Sequence, residues 1–152
     1  MDDLPEWAID DAEIAGERWL LRRVPQNRVQ DGIPEKSNFR EDEAGHGLSV
    51  TVWDSPQDLE DVRRDHESFA VICVPASAFR AEIDTVIARA PLEGNANHCE
   101  VFPHYGQGAQ KRLRKTFRWV HRPAWLPDDP EAELFDPHAP AVESTEPPEA
   151  SI

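Results

Sequence analysis

Residues 97–123 read NHCEVFPHYGQGAQKRLRKTFRWVHRP, and the fold depends on how this stretch divides. A short strand over 98–102, a glycine turn and a strongly basic amphipathic helix are predicted. Ala109, Leu113, Thr116, Phe117 and Val120 fall on one stripe at helical spacing, while Lys111, Arg114, Lys115 and Arg118 point the opposite way. One face is expected to pack and the other to stay in water. The same stretch holds His98, Cys99, Glu100 and His104, the densest group of reactive side chains in the chain.

Working outward, the strands come from short apolar runs. RWLLRRVP (18–25) reads as a first core strand that Pro25 ends. Strict alternation along it forbids Arg22 and Arg23 from both facing the core, so at least one is expected to be exposed. LSVTVW (48–53) alternates apolar and hydroxyl residues and reads as a half-buried strand. FAVICV (69–74) is a continuous apolar run that fits a buried central strand, with Cys73 as a small core hydrophobe. TVIARAP (85–91) gives another short strand. Ser55-Pro56 opens a helix, with Asp58 complementing its dipole and Leu59 and Val62 at apolar spacing. ASAFRAEI (76–83) predicts a second helix with Ala78, Phe79 and Ile83 inward.

The expected fold is α+β: a single domain with a mixed sheet of four or five short strands and helices on one face. Three segments are predicted, an acidic N-terminal segment over 1–17, the α+β domain over 18–123, and an acidic, proline-rich tail over 124–152. In the first, Trp7, Ile9 and Ile14 are expected to dock a short helix on the body. The tail is expected to be largely disordered beyond about Phe135, because its composition buries too little to offset the entropy of ordering. Trp125, Leu126, Leu134 and Phe135 are candidate anchors near its start.

Of 152 residues, 30 are acidic and 16 are lysine or arginine, for a net charge of −14. The 6 bases of 109–122 stand without an acid between them, and the 8 acids of 123–152 follow at once. Such a body repels nucleic acid at long range and favours a basic protein partner. No apolar run approaches the roughly 20 residues that span a bilayer. Cys73 and Cys99 form no spaced disulfide framework, and no basic-then-apolar leader opens the sequence, so a cytoplasmic protein is expected.

Motifs narrow the chemistry mainly by exclusion. There is no GxGxxG, no GxxxxGK[ST] and no GxSxG, and no cofactor is expected. Gly106-Gln107-Gly108 ahead of a helix reads as capping in preference to an anion site. On a strand, His98 and Glu100 share a face and Cys99 points away, so these residues and His104 do not converge on one ion and no metal site is expected. The long polar connection 25–47 is of a length that is usually either functional or disordered, and Phe39 as an anchor argues for order. Within it, His46 lies between Gly45 and Gly47, a setting that suits an exposed imidazole. Arg22 or Arg23, Arg40, His46 and His98, with Lys111, form the usable set for a phosphate-bearing, nucleotide-like substrate. Arginine would hold the phosphate and histidine would move a proton.

The order RRVP (22–25), SNF followed by Arg40 (37–40), GLSV (47–50), NANH (95–98) and a basic helix ending in RWV (118–120) resembles a set of small bacterial proteins. The resemblance covers about Trp19 to Pro123. It implies a common site formed by Ser37, Asn38 and Phe39, the strand Leu48-Ser49-Val50, and Asn97 with His98, and it supplies no substrate.

Three functions follow in order of expectation. The first is a binding or accessory module acting through a protein partner. The second is a small enzyme acting on a phosphate-bearing substrate through Arg22, Arg40, His46 and His98. The third is a nucleic-acid binder using Lys111, Arg114, Lys115 and Arg118, with Trp119 and Tyr105 as aromatic surfaces. Ser37, Asn38 and Asn97 join the ligand-binding candidates. The first two readings differ in a geometric requirement: the enzyme needs Arg22 or Arg23, His46 and His98 at one pocket.

Overall fold

The computed structural model describes residues 4–41, 46–126 and 134–138. In chain order these form β1 (Trp19–Val24), β2 (Val29–Gln30), β3 (Ile33–Pro34), β4 (Leu48–Val52), α1 (Pro56–Arg63), β5 (Ala70–Pro75), α2 (Ala76–Arg80), β6 (Val86–Arg89), β7 (His98–Phe102), α3 (Gln107–Arg114) and β8 (Arg118–His121). Single 3-10 turns at Gln26–Arg28 and Lys36–Phe39 occupy the connection between β1 and β4. None of the described helices is long and apolar enough to cross a membrane.

Six strands make one sheet in the order β6-β7-β4-β1-β5-β8, and β2 pairs with β3 as a separate hairpin. The fold is α+β as expected, but the sheet is not mixed and has more than four or five strands. Each of its pairings is antiparallel. Only the link between β6 and β7 is short; β1 is joined to its neighbour β4 through the long connection that holds β2 and β3, and to β5 by way of β4 and α1.

The two faces differ in composition. On one, Leu20, Val24, Val50, Val52, Ile72, Val74, Cys99 and Val101 form the main core with Ile14, Phe39, Phe79 and Leu113. On the other, a smaller cluster of Leu21, Trp53, Val62, Val71, Cys73 and Val120 covers only part of the sheet. Helices therefore lie on both faces, not one: α2 and α3 cover the main core through Phe79 and Leu113, and α1 covers the second cluster through Val62. One end of that second face is left to polar side chains.

The basic stretch divides differently from its helical reading. α3 stops at Arg114, and the N–H groups of Lys115, Thr116 and Phe117 bond back to the carbonyls of Arg112, Leu113 and Arg114, tightening the last turn. Arg118–His121 then pairs with β5. Phe117, Trp119 and Val120 favour a pleated surface, and β5 offers an unpaired edge, so pairing and burial of Trp119 outweigh another helical turn. Arg118 consequently sits on a strand, 4.1 Å from the centroid of the Phe135 ring, away from the face of Lys111.

Three smaller expectations also change. Ile83 is exposed, because α2 ends at Arg80. No helix forms among the described N-terminal residues. Instead Asp10 bridges Ala88, Arg80 bonds the Asp10 carboxylate and the carbonyls of Asp11 and Ile14, and Ile14 is buried while Ile9 stays exposed. Of the candidate tail anchors, Leu126 enters the core and Phe135 lies 4.6 Å from the Trp19 ring with its N–H on the Trp119 carbonyl, but Leu134 is exposed. Beyond His138, whose Nε2 meets the Trp53 carbonyl, the tail lies outside the described residues.

Candidate functional site: a polar cleft on the open end of the sheet

β4 and β7 are interior strands of an antiparallel sheet, which can pack one face and leave the other polar. Their second face carries Ser49 and Thr51 opposite Glu100 and His98. Arg23 continues this polar strip onto β1. Two adjoining cavities of about 420 Å³ and 450 Å³ open over it, and they share Arg23, Ser49, His66, Asn95 and His98. Both volumes fall within the range of small-molecule sites. The end of α1 and the turn at 92–95 form the walls, held together by Arg64, whose Nη1 donates to the Gly94 carbonyl at 2.8 Å.

His98 is the best-defined group. Its backbone belongs to β7, and its side chain is only 8 % exposed. Nδ1 meets the Ala90 carbonyl at 2.8 Å, which places the proton on Nδ1 and leaves the lone pair on Nε2. Nε2 is hydrogen-bonded to none of the described residues. Burial pulls the imidazole below its ordinary pKa and Arg23 adds to the effect, while the Ala90 bond and Glu100 oppose it. The ring is therefore neutral near neutral pH, with a basic nitrogen at the cleft.

Arg23 is fixed by donation to the Val62 carbonyl at 3.0 Å, at the last turn of α1. It also acts on His66, whose pKa is lowered by burial first and by Arg23 second. Asn95 bonds the Thr51 hydroxyl at 3.1 Å, which fixes the cavity floor between β4 and the turn. The first cavity is lined as well by Arg22 and Arg28, and no carboxylate is among the described residues that line it.

The second cavity differs in charge. Asp61, Asp65, Glu93 and Glu100 line it with Arg23, Arg64, His46, His66 and His98. Glu100 accepts the Gly47 N–H at 2.8 Å and lies 3.5 Å from Nδ1 of His46. Gly47 cannot carry a side chain there, since a Cβ would stand 2.7 Å from the Val101 carbonyl. His46 thus borders the cleft because a glycine lets its backbone pass close to β7.

The proposed enzyme set is only partly assembled. Arg22 and His98 line the first cavity, and His46 and His98 line the second. Arg40 is exposed and lines neither; its carbonyl serves as an acceptor for Arg22. Arg22 itself is buried on the main-core side, where it donates to the carbonyls of Asn38 and Ser49. Asn38 is buried and donates to the carbonyls of Arg28 and Glu35, so it folds the connection between β1 and β4. Ser37 contacts Glu35 at 3.5 Å, away from the cleft. Asn97 donates to Asp58 at 2.9 Å and accepts from Arg89 at 3.0 Å, a joint between α1 and the sheet.

The basic surface is interrupted. Arg112 pairs with Glu82 through two bonds of 2.8 and 2.7 Å, and Arg114 and Lys115 border a depression that also contains Asp31 and Glu35. Lys111 is exposed on α3, across the sheet from the cleft. Sequence reasoning missed Arg28, His66 and Asn95. Asn95 stood in the quoted NANH, but nothing in the spacing of the other two links them to β7.

Both thiols are removed from the chemistry. Cys99 points into the main core and burial pushes it up to about 11, while burial pushes Cys73 up to about 12. Among the described residues no three histidine, cysteine, aspartate or glutamate side chains are grouped to hold a metal ion. What the cleft can do is hold an anion beside a neutral imidazole base. No family model matches the chain, and neither a curated protein nor a solved structure matches it either.

Proposed function

We propose that the protein binds a small phosphate-bearing molecule in the cleft above β4 and β7. One observation carries this reading: Arg23 and Arg28 with His66 and His98 line a single cavity whose described residues include no carboxylate, inside a chain of net charge −14. Positive charge concentrated in a low-dielectric hollow attracts an anion far more strongly than the same charge on an open surface. Arginine suits phosphate because its planar donors match two oxygens at once. His98, with its lone pair on Nε2, is the group able to take a proton from a bound hydroxyl. The protein-partner reading has the overall acidity in its support, but acidity singles out no surface.

Titration calorimetry with inorganic phosphate, nucleoside monophosphates and their unphosphorylated nucleosides tests the assignment. Phosphorylated compounds should bind and the nucleosides should bind at least about tenfold more weakly. Arg23→Ala and Arg28→Ala should each weaken binding, whereas Lys111→Glu together with Lys115→Glu on α3 should leave it within about twofold. Equal binding of both classes, or loss only in the α3 variant, overturns it.

A further inference from the structure

The two cavities share one wall and differ in charge. The first is lined by Arg23 and Arg28, with no carboxylate among its described residues, while the guanidinium of Arg22 is held on the main-core side. The second has four carboxylates, Asp61, Asp65, Glu93 and Glu100, against Arg23 and Arg64. Not all of these acids are equally engaged. Asp61 accepts from Gln57 and Arg64, and Glu100 accepts from Gly47. Asp65 and Glu93 are exposed at the outer rim and form no hydrogen bond or ion pair with the described residues.

His98 stands where the two cavities meet. It lines both, is more than nine-tenths buried, and turns toward the cleft a nitrogen lone pair that no described residue uses. Nε2 is not one of the fully buried atoms left without a partner, so it keeps an open approach from the cleft and a ligand donor can reach it. The cleft is thus polarised from a cationic end to an anionic end, with an acceptor between them.

From this geometry we infer that the ligand is a phosphate monoester whose other end carries an amino group. The phosphate lies between Arg23 and Arg28, a donor on the middle of the ligand meets Nε2 of His98, and the ammonium group lies toward Asp65 and Glu93. A second anionic end would meet Asp65 and Glu93, which none of the described residues pairs, so the far compartment disfavours such ligands as well as favouring amines. This rests on the phosphate reading above, and adds the identity of the opposite end.

The test uses matched pairs of alkyl phosphates and ω-aminoalkyl phosphates of increasing chain length, titrated into the full chain. For at least one length the amino compound should bind about tenfold or more tightly than its alkyl partner, and high salt should shrink the difference. Asp65→Asn with Glu93→Gln should abolish that preference while leaving the alkyl phosphate within about twofold, a readout that a general loss of folding would not give. If alkyl phosphates bind but no length shows an amine preference, the inference fails and the phosphate site stands. If the preference survives in the double variant, these carboxylates are not its origin and the inference fails. If neither series binds, both readings fall.

Discussion

Arg22 and Arg23 are adjacent on β1 and serve opposite ends of the structure. Alternation alone says that one of the two faces the main core. It does not say that the buried one is tolerated because the carbonyls of Asn38 and Ser49 converge on its guanidinium. Those acceptors belong to a connection with little periodicity, so the clamp was not legible, while the separation of the two side chains was. His98 was legible as a face-sharing partner of Glu100, but the Ala90 carbonyl that fixes its tautomer was not. Arg22→Met is expected to fill much of the same volume and to strand the two buried carbonyls. An unsatisfied buried acceptor costs about 1–3 kcal/mol, so a fall of several degrees in melting temperature should follow. Arg22→Lys should recover part of it, because one ammonium cannot span both acceptors. An unchanged melting curve in Arg22→Met would show that the connection is held by Asn38 and Phe39 alone.

At the scale of elements, local signals located β1, β4, β5, β6, β7 and the start of α1, and failed where two neighbours competed for one residue. Residues 115–121 carry helical spacing on paper, yet the unpaired edge of β5 is a partner that no window of sequence contains. The hairpin of β2 and β3 shows the reverse case. Asp31-Gly32 is a standard two-residue turn signal, and both residues have positive φ, at 56° and 76°. It went unread because each strand is only two residues long. α1 was legible from Ser55-Pro56, but its attachment was not. Asp58 accepts from the N–H groups of Asp54 and Ser55 and from Asn97, so one carboxylate both starts the helix and ties it to the turn before β7. Asp58→Ala is expected to cost more than the roughly 1 kcal/mol of an ordinary cap, because Asn97 also loses its acceptor. Thermal melting of Asp58→Ala, Asn97→Ala and the double variant checks this: the two losses should add to less than their sum. Full additivity would mean that the helix end and the turn are independent.

On the scale of the whole molecule, the cleft draws on β1, the end of α1, the turn at 92–95 and β7, parts of the chain far apart in sequence and joined only by the order of the sheet. That is why the arginines could be nominated singly but not assembled, and why His66, separated from His98 by two strands and a helix, carried no signal. The same assembly sets how anion affinity should vary with pH. His98 and His66 are held below their ordinary values near 6.5 by burial first, with Arg23 contributing to each. Glu100 opposes this at His98 and Asp65 opposes it at His66. A bound dianion compensates Arg23 and favours the protonated rings, so both pKa values rise on binding and the complex takes up protons. Affinity should therefore be flat at high pH, climb as pH falls through the bound-state values, and level off below the lower values of the empty protein. A shift of one pKa unit at one histidine corresponds to about tenfold in affinity across that window. Sulfate is the probe to use, because phosphate monoesters change their own charge near pH 6. Of the carboxylates nearby, Asp61 is held below its usual range by Gln57 and then Arg64, and stays ionised throughout. His98→Asn and His66→Asn should each flatten part of the climb, and together should remove it. Sulfate affinity that stays level or falls on acidification would mean that the anion does not sit beside these histidines, and the cationic compartment would have to be assigned elsewhere.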